Sequence, residues 1–406
     1  MGWAVVLSSG GFASAADWPQ FLGLDRNGIS AETGLIETFP PGGPKILWRV
    51  PGGIGMSGVA LQGELAVTLI QKQERQWIVA FDAATGKERW ETDLAPAFEN
   101  SMGDGPRATP TLVDGVVYAF TGEGILAAVD LKSGDLKWSA NVPLDLKTKP
   151  SEYGVASSPL VTEKHVIVTA GATQGTLAAF DRKTGKLAWT AGTQTPAGYS
   201  SPVLLPLAGV PQIVAFAGRQ TIGVEPITGA VLWSYAFETE YSCNTANPIA
   251  IDGQLFLSAG ENHGCVLLQV PAKPGGEVTE VWSSFDSKSV LRSEWQTAVQ
   301  VGDYLYGFDN VGSAGPVTHL TCIEARTGKR MWQQLRFGKG NLIAADGKLW
   351  CSTMDGELVV VKATPEKYIE SGRAVVCGET RQAPALSNGR LYLRDGQEIV
   401  CVDVRR

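Results

Sequence analysis

Histidine is nearly absent from this chain: His165, His263 and His319 are the only three in 406 residues, and none has the spacing of a metal-binding motif such as HExxH. The six cysteines (Cys243, Cys265, Cys322, Cys351, Cys377 and Cys401) form no CxxC or CxxCH pair, which argues against a zinc site or attached haem. Helical periodicity is almost missing, and no run after residue 16 is long enough to span a bilayer. A net charge of −7 without a basic stripe argues against nucleic acid or an anionic membrane as the main partner. No GxSxG elbow marks a hydrolase.

Tryptophan, by contrast, recurs. Trp48, Trp90, Trp138, Trp189, Trp233, Trp282 and Trp332 are separated by 42, 48, 51, 44, 49 and 50 residues. Most close the same cassette, an apolar strand ending in Asp or Glu, a Thr-Gly or Ser-Gly turn, then Trp: AFDAATGKERW ends at Trp90, AVDLKSGDLKW at Trp138, AFDRKTGKLAW at Trp189 and CIEARTGKRMW at Trp332. GVEPITGAVLW, ending at Trp233, is a looser copy. Two units have drifted further, the fifth reading QVPAKPGGEVTEVW and the seventh lacking its Trp, and both are read as looser blades.

A period of about 40 to 50 residues with several strands per unit specifies a β-propeller. Residues 108–138 split into four short strands, separated by Asp114-Gly115, by Gly122 and Gly124, and by Lys132-Ser133-Gly134. Eight units follow, so the expected fold is an all-β, eight-bladed propeller of four-stranded antiparallel blades. The last unit stops after its third strand, whereas ILWRV at 46–50 is a Trp strand with no blade before it. Pairing the two would close the ring and remove its exposed edges. The expected division is a signal peptide at 1–16 (MGWAVVLSSGGFASAA, its true start read as lying upstream), an N-terminal extension at 17–45, and the propeller at 46–406. The export signal implies a periplasmic or secreted protein. The cysteine count also admits a disulfide of unreadable connectivity.

The cassette A-x-D-x-x-T-G-x-x-x-W resembles the tryptophan-docking repeat of the pyrroloquinoline-quinone (PQQ) propeller superfamily, over the chain from about Ile46 onward. DWPQFLGLDRNGIS at 17–30, FLSAGENHGCVLL at 256–268 and the segment 385–403 are similar to exported bacterial PQQ-binding-like propellers, a group also labelled outer-membrane assembly factor B-like. The superfamily holds both quinoprotein dehydrogenases and non-enzymatic propellers. A quinoprotein alcohol dehydrogenase is expected to carry adjacent cysteines, a calcium-binding Glu and Asn, and a catalytic Asp. No two cysteines are adjacent here. The reading therefore favours a non-enzymatic, monomeric binding or scaffold protein with no cofactor, no metal and no catalytic residue, whose partner is a protein segment, glycan or small ligand. A PQQ- or other redox-cofactor-dependent oxidoreductase, with calcium, is its alternative.

Any site should lie where outer strands link to the next inner strands, together with the second hairpins. The expected channel-face residues are Asn100, Arg107, Tyr153, Tyr199, Asn244, Arg292, Glu294, Trp295, Lys339 and Arg381. Tyr241 and the hairpin residues Glu261, Asn262 and His263 belong to the same face, His263 being read as simply solvated. The seven repeated tryptophans are read as structural, packing neighbouring blades together.

Overall fold

The computed structural model describes residues 17–406 apart from residue 174 and residues 314–316; the expected signal peptide lies outside the described residues. Thirty-two strands form eight four-stranded antiparallel sheets, with a single four-residue helix at Val142–Asp145 and two short 3-10 turns among the described residues. Blade 1 illustrates the order from axis to rim: Ala60–Gln62, Leu65–Lys72, Arg75–Asp82 and Glu88–Pro96. The rims of blades 2 to 7 end at Leu136–Asn141, Leu187–Ala191, Val231–Ala236, Thr279–Phe285, Arg330–Gln334 and Glu370–Val375. Blade 8 closes the ring as expected, for Lys45–Pro51 pairs antiparallel with Glu398–Asp403.

Each cassette is a docking device with two halves. Its acidic residue organises the turn: Asp82 accepts from the Ala84 and Thr85 amides and from the Thr85 hydroxyl. The turn then offers its glycine to the preceding blade. A Cβ added at Gly86, Gly134, Gly185, Gly229 or Gly328 would meet the ring of Trp48, Trp90, Trp138, Trp189 or Trp282 respectively, within 2.5 to 2.8 Å. The indole nitrogens of Trp48, Trp90, Trp138 and Trp282 donate to the carbonyls of Ala83, Leu131, Arg182 and Ala325 in the adjoining blade. A Thr-Gly turn and a tryptophan about 40 to 50 residues apart in sequence are thus two faces of one interblade contact.

The drifted units follow from this pairing. Blade 5 has no such turn to receive Trp233, so Trp233 lies back over its own blade, donating to Gln212 Oε1 at 2.6 Å. Gly223 makes this possible, since a Cβ there would stand 2.2 Å from the indole. In blade 7, Gly372 occupies the tryptophan's register opposite Val360, and Phe39 of the N-terminal extension packs against it. The missing ring is supplied from elsewhere in the chain.

Around the axis, a second repeat holds the inner strands together. Their sideways-facing amides have no partner within their own blade and must be satisfied by a neighbour. Gly58 N donates to Thr109 Oγ1, Thr109 N to Ser158 Oγ, Ser158 N to Ser201 Oγ, Ser201 N to Asn247 Oδ1, and Asn247 N to Thr297 Oγ1, at 2.9 to 3.2 Å. This belt crosses five consecutive blade junctions. All six cysteines are unpaired, so the disulfide that the sequence admitted is not formed; Cys322 and Cys401 are small buried residues lying opposite Trp332 and Trp48 on the neighbouring strands.

Candidate functional site

The interblade links and second hairpins converge on one mouth of the channel, where they form two chemically distinct halves. One half is cationic and aromatic. Lys339 Nζ and the Arg381 guanidinium lie 4.2 and 4.9 Å from the centre of the half-buried Trp295 ring. Glu294, pushed up by burial and drawn back by Lys339, pairs with that lysine at 3.1 Å. Arg107 stacks over Phe98 at 4.9 Å and donates to the carbonyls of Gly103 and Gly105; burial pulls it down to about 10.

The other half is phenolic and acidic. Tyr153 and Tyr199 stack with ring centres 5.8 Å apart, and the Tyr153 amide donates to the Tyr199 hydroxyl. Both interact electrostatically with Cys243 and Glu152. Cys243 is pushed up to about 12 by burial, aided by Glu261, Glu294 and Glu152, so it stays a thiol at neutral pH.

A cavity of about 570 Å³ opens on the cationic side, between the links carrying Met56, Met102 and Arg381 and the hairpin of blade 8. At its wall lies Arg394, a residue the sequence reading passed over. Arg394 is 1% exposed and is drawn down to about 10 by burial. Its Nη1 and Nη2 donate to the carbonyls of Ser57, Leu69 and Gly52, stitching blade 8 to blade 1, while its buried Nε finds no partner. Asp104 and Asp395 also line the cavity, but Asp104 accepts from the Asn100 amide of its own turn, and Asp395 from the Gln397 and Glu398 amides of its turn and from the Gly378 amide of the facing link.

The structure thus brings Arg107, Tyr153, Tyr199, Glu294, Trp295, Lys339 and Arg381 to one mouth. Asn100 sits at its edge, where it donates to the Glu152 carbonyl. Two expected residues are turned into the fold instead. Asn244 is fully buried and donates to the carbonyls of Ala217 and Phe237. Arg292 forms a bidentate pair with buried Asp309 at 2.7 and 3.0 Å. His263 is packed between Phe237 and Phe285, at 4.4 and 5.3 Å between ring centres, and burial lowers its pKa. It is a half-buried ring packed on two phenylalanines, less open to solvent than the loop side chain expected. The axial belt had a sequence signal in Thr109-Pro110, Ser158-Pro159, Ser201-Pro202 and Asn247-Pro248; Arg394 had none, because its neighbours come from the other end of the chain.

Among the described residues, no three His, Cys, Asp or Glu side chains come together as a metal cage. A planar organic anion fits better. Trp295 offers a flat ring, and Arg381 is tied by its stacking on that ring, a 3.2 Å bond to the Met102 carbonyl and a 3.8 Å contact with Glu379, none of them a close ion pair, so its guanidinium can turn to a ligand. The orphaned Arg394 Nε is a further unsatisfied donor at the same wall.

The sequence model of the family described as outer membrane protein assembly factor BamB matches residues 32–152 and 74–334. A quinohemoprotein alcohol dehydrogenase of Pseudomonas putida is 34% identical over 120 residues, which are 28% of this chain and 17% of that enzyme. The chain therefore spans about one sixth of that relative's length in the match. The quinohemoprotein alcohol dehydrogenase of Comamonas testosteroni superposes with a TM-score of 0.71 at 14% identity, covering 96% of this chain and 81% of the other. BamB of Moraxella catarrhalis gives 0.60 at 16% identity, covering 88% and 97%. At these identities the two structures establish the shared fold. The sequence relatives correct the expectation of a propeller without a cofactor, since the matched proteins are named as quinone and quinohemoprotein alcohol dehydrogenases. They also favour the oxidoreductase alternative over the non-enzymatic reading.

Proposed function

The chain belongs to the PQQ-like propeller family whose sequence model is described as outer membrane protein assembly factor BamB, and from that membership we propose that it is an exported oxidoreductase holding a planar anionic quinone of the PQQ type at its channel mouth. The observation that carries the reading is the 570 Å³ cavity walled by Arg381 and by buried Arg394, whose Nε alone lacks a partner, with Arg381 reaching from it to a half-buried indole that also carries Lys339. Sequence similarity to the quinone alcohol dehydrogenases supports the choice of cofactor.

In this reading Trp295 is the plate on which the ring system lies, and Arg381 and Arg394 meet its carboxylates. Such a quinone, when bound, supplies a two-electron acceptor. Glu294 is placed to take the proton from an alcohol or sugar hydroxyl, because burial has moved its carboxyl upward toward the working pH. Lys339 at 3.1 Å opposes that shift, favouring the carboxylate. The calcium of the alternative has no ready-made cage among the described residues, so no step is assigned to it.

Titrating PQQ into the purified protein and following Trp fluorescence should give saturation at one equivalent. Trp295→Ala and Arg381→Ala should each weaken binding by about tenfold, the worth of one aromatic or charge-assisted contact. Absence of saturable binding sinks the proposal. A second reading, docking of a protein segment at the same mouth, is favoured by the exposed Ile54, Met102 and Tyr241 around it (48%, 41% and 59% exposed) and by the family's description.

A further inference from the structure

A second cavity lies on the opposite face, and the N-terminal extension builds it. Trp18 exchanges backbone hydrogen bonds with Leu61 of blade 1, Pro19 accepts from Leu112 of blade 2, and residues 28–30 bond to Ala344 of blade 7. Between these anchors the chain crosses beneath the channel in a knot of tight turns, with Leu22 and Arg26 both at positive φ (61° and 55°). The turn throws the Arg26 side chain up toward the axis. Its Nε donates to Gln20 Oε1 at 2.9 Å, and its terminal nitrogens donate to the carbonyls of Pro202, Ser158 and Pro159. Gln20 in turn donates to the Leu24 carbonyl, which fixes the turn.

Arg26 is 5% exposed, yet it forms no ion pair with any of the described residues. Burial lowers its pKa to about 9, and no carboxylate offsets the effect. Four hydrogen bonds use four of a guanidinium's five N–H groups, leaving one donor and an uncompensated charge. This side chain lines a cavity of about 690 Å³ whose remaining wall is largely apolar, formed by Leu24, Val161, Leu204 and Ile249. Asn27 lies beside it; its Oδ1 already accepts from the Ile29 amide, so its NH2 group supplies a second donor. Asp25 is the one carboxylate in the lining, and it is exposed.

We propose that this cavity is a second ligand site, specific for a small organic monocarboxylate with an apolar body. The carboxylate accepts from the free Arg26 N–H and from Asn27, and the body lies against Leu24, Leu204 and Ile249. Asp25 disfavours a second negative charge, which excludes di- and tricarboxylates and separates this site from the one at the channel mouth. The site exists only while the extension is docked.

Octanoate is a suitable probe, with 1-octanol as its uncharged isostere, in calorimetric titrations of the full chain. Octanoate should bind once and saturably, and 1-octanol at least tenfold more weakly. Leu204 is 45% exposed, so Leu204→Glu leaves the core intact while placing a negative charge in the cavity; it should weaken octanoate at least tenfold. Arg26→Gln should do the same, and Arg381→Ala, on the opposite face, should leave octanoate binding unchanged. The proposal is overturned by absence of saturable binding, by equal affinity for octanol, by an unaltered affinity in Leu204→Glu, or by loss of binding in Arg381→Ala.

Discussion

Replacing Gly185 by alanine tests the docking device at the point where its two halves meet. Gly185 has φ of +70°, a conformation that costs an L-residue about 1 kcal/mol. Its new Cβ would lie 2.5 Å from Trp138 Cε3, so the ring must slide by about 1 Å, an overpacking cost of about 1 to 3 kcal/mol. Sliding also breaks the 3.1 Å bond from Trp138 Nε1 to the Arg182 carbonyl, worth about 0.5 to 1.5 kcal/mol net. The sum is about 2.5 to 5.5 kcal/mol. With an unfolding entropy of about 2.1 cal/mol/K per residue, a ring of this size loses roughly 1 °C of Tm for each kcal/mol. Calorimetry should therefore show a fall of about 3 to 6 °C. Gly115→Ala is the control: its φ is +73°, but nothing lies within 4 Å of the new Cβ, so only about 1 °C should be lost. In a Trp138→Ala background the extra loss at Gly185 should disappear. Equal losses at Gly185 and Gly115 would refute the claim that the turn glycine exists to receive the neighbouring tryptophan.

Gly223→Ala should destabilise by about 2 to 4 kcal/mol, because the Cβ displaces Trp233 from Gln212; denaturant titration reads it, and an unchanged midpoint argues against the inward docking. Arg292→Met removes the bidentate guanidinium and leaves buried Asp309 with only the residue-292 amide, Gln333 and a 4.0 Å contact from Arg330, and should lose about 3 to 5 kcal/mol, whereas Arg292→Met with Asp309→Leu should lose much less. Acid should loosen the ring through the cassette turns. Asp82, held down to about 2 by Arg89 and Thr85, and Asp130, held down to about 2 by Lys137 and the Ser133 amide, contribute stability that is present above the unfolded pKa near 3.8. That stability is lost as pH falls from about 4 to 2, and Asp82→Asn with Asp130→Asn should flatten the Tm profile in that window.

The fold was legible because a propeller writes its architecture once per blade. Trp48 without a blade and a final unit without its tryptophan strand located the closure that Lys45–Pro51 and Glu398–Asp403 make. Local drift was legible only as absence. That Phe39 replaces the missing tryptophan of blade 7 depends on a contact between residues more than 330 positions apart, which no period encodes. At the mouth, the link positions bring Trp295, Lys339 and Arg381 together, since links must face that side. Direction was the missing information: Asn244 and Arg292 share the same links but satisfy buried carbonyls and a buried carboxylate. Arg26 and Arg394 were invisible as site residues because their burial arises where distant segments cross.

A crystal structure of the protein grown with PQQ tests the central claim most directly. The account predicts a planar ligand at the channel mouth, its carboxylates in the 570 Å³ cavity bonded to Arg381 and Arg394 and its ring system reaching out of that cavity onto Trp295. An empty mouth at saturating PQQ, or a ligand seated elsewhere on the ring, would contradict it.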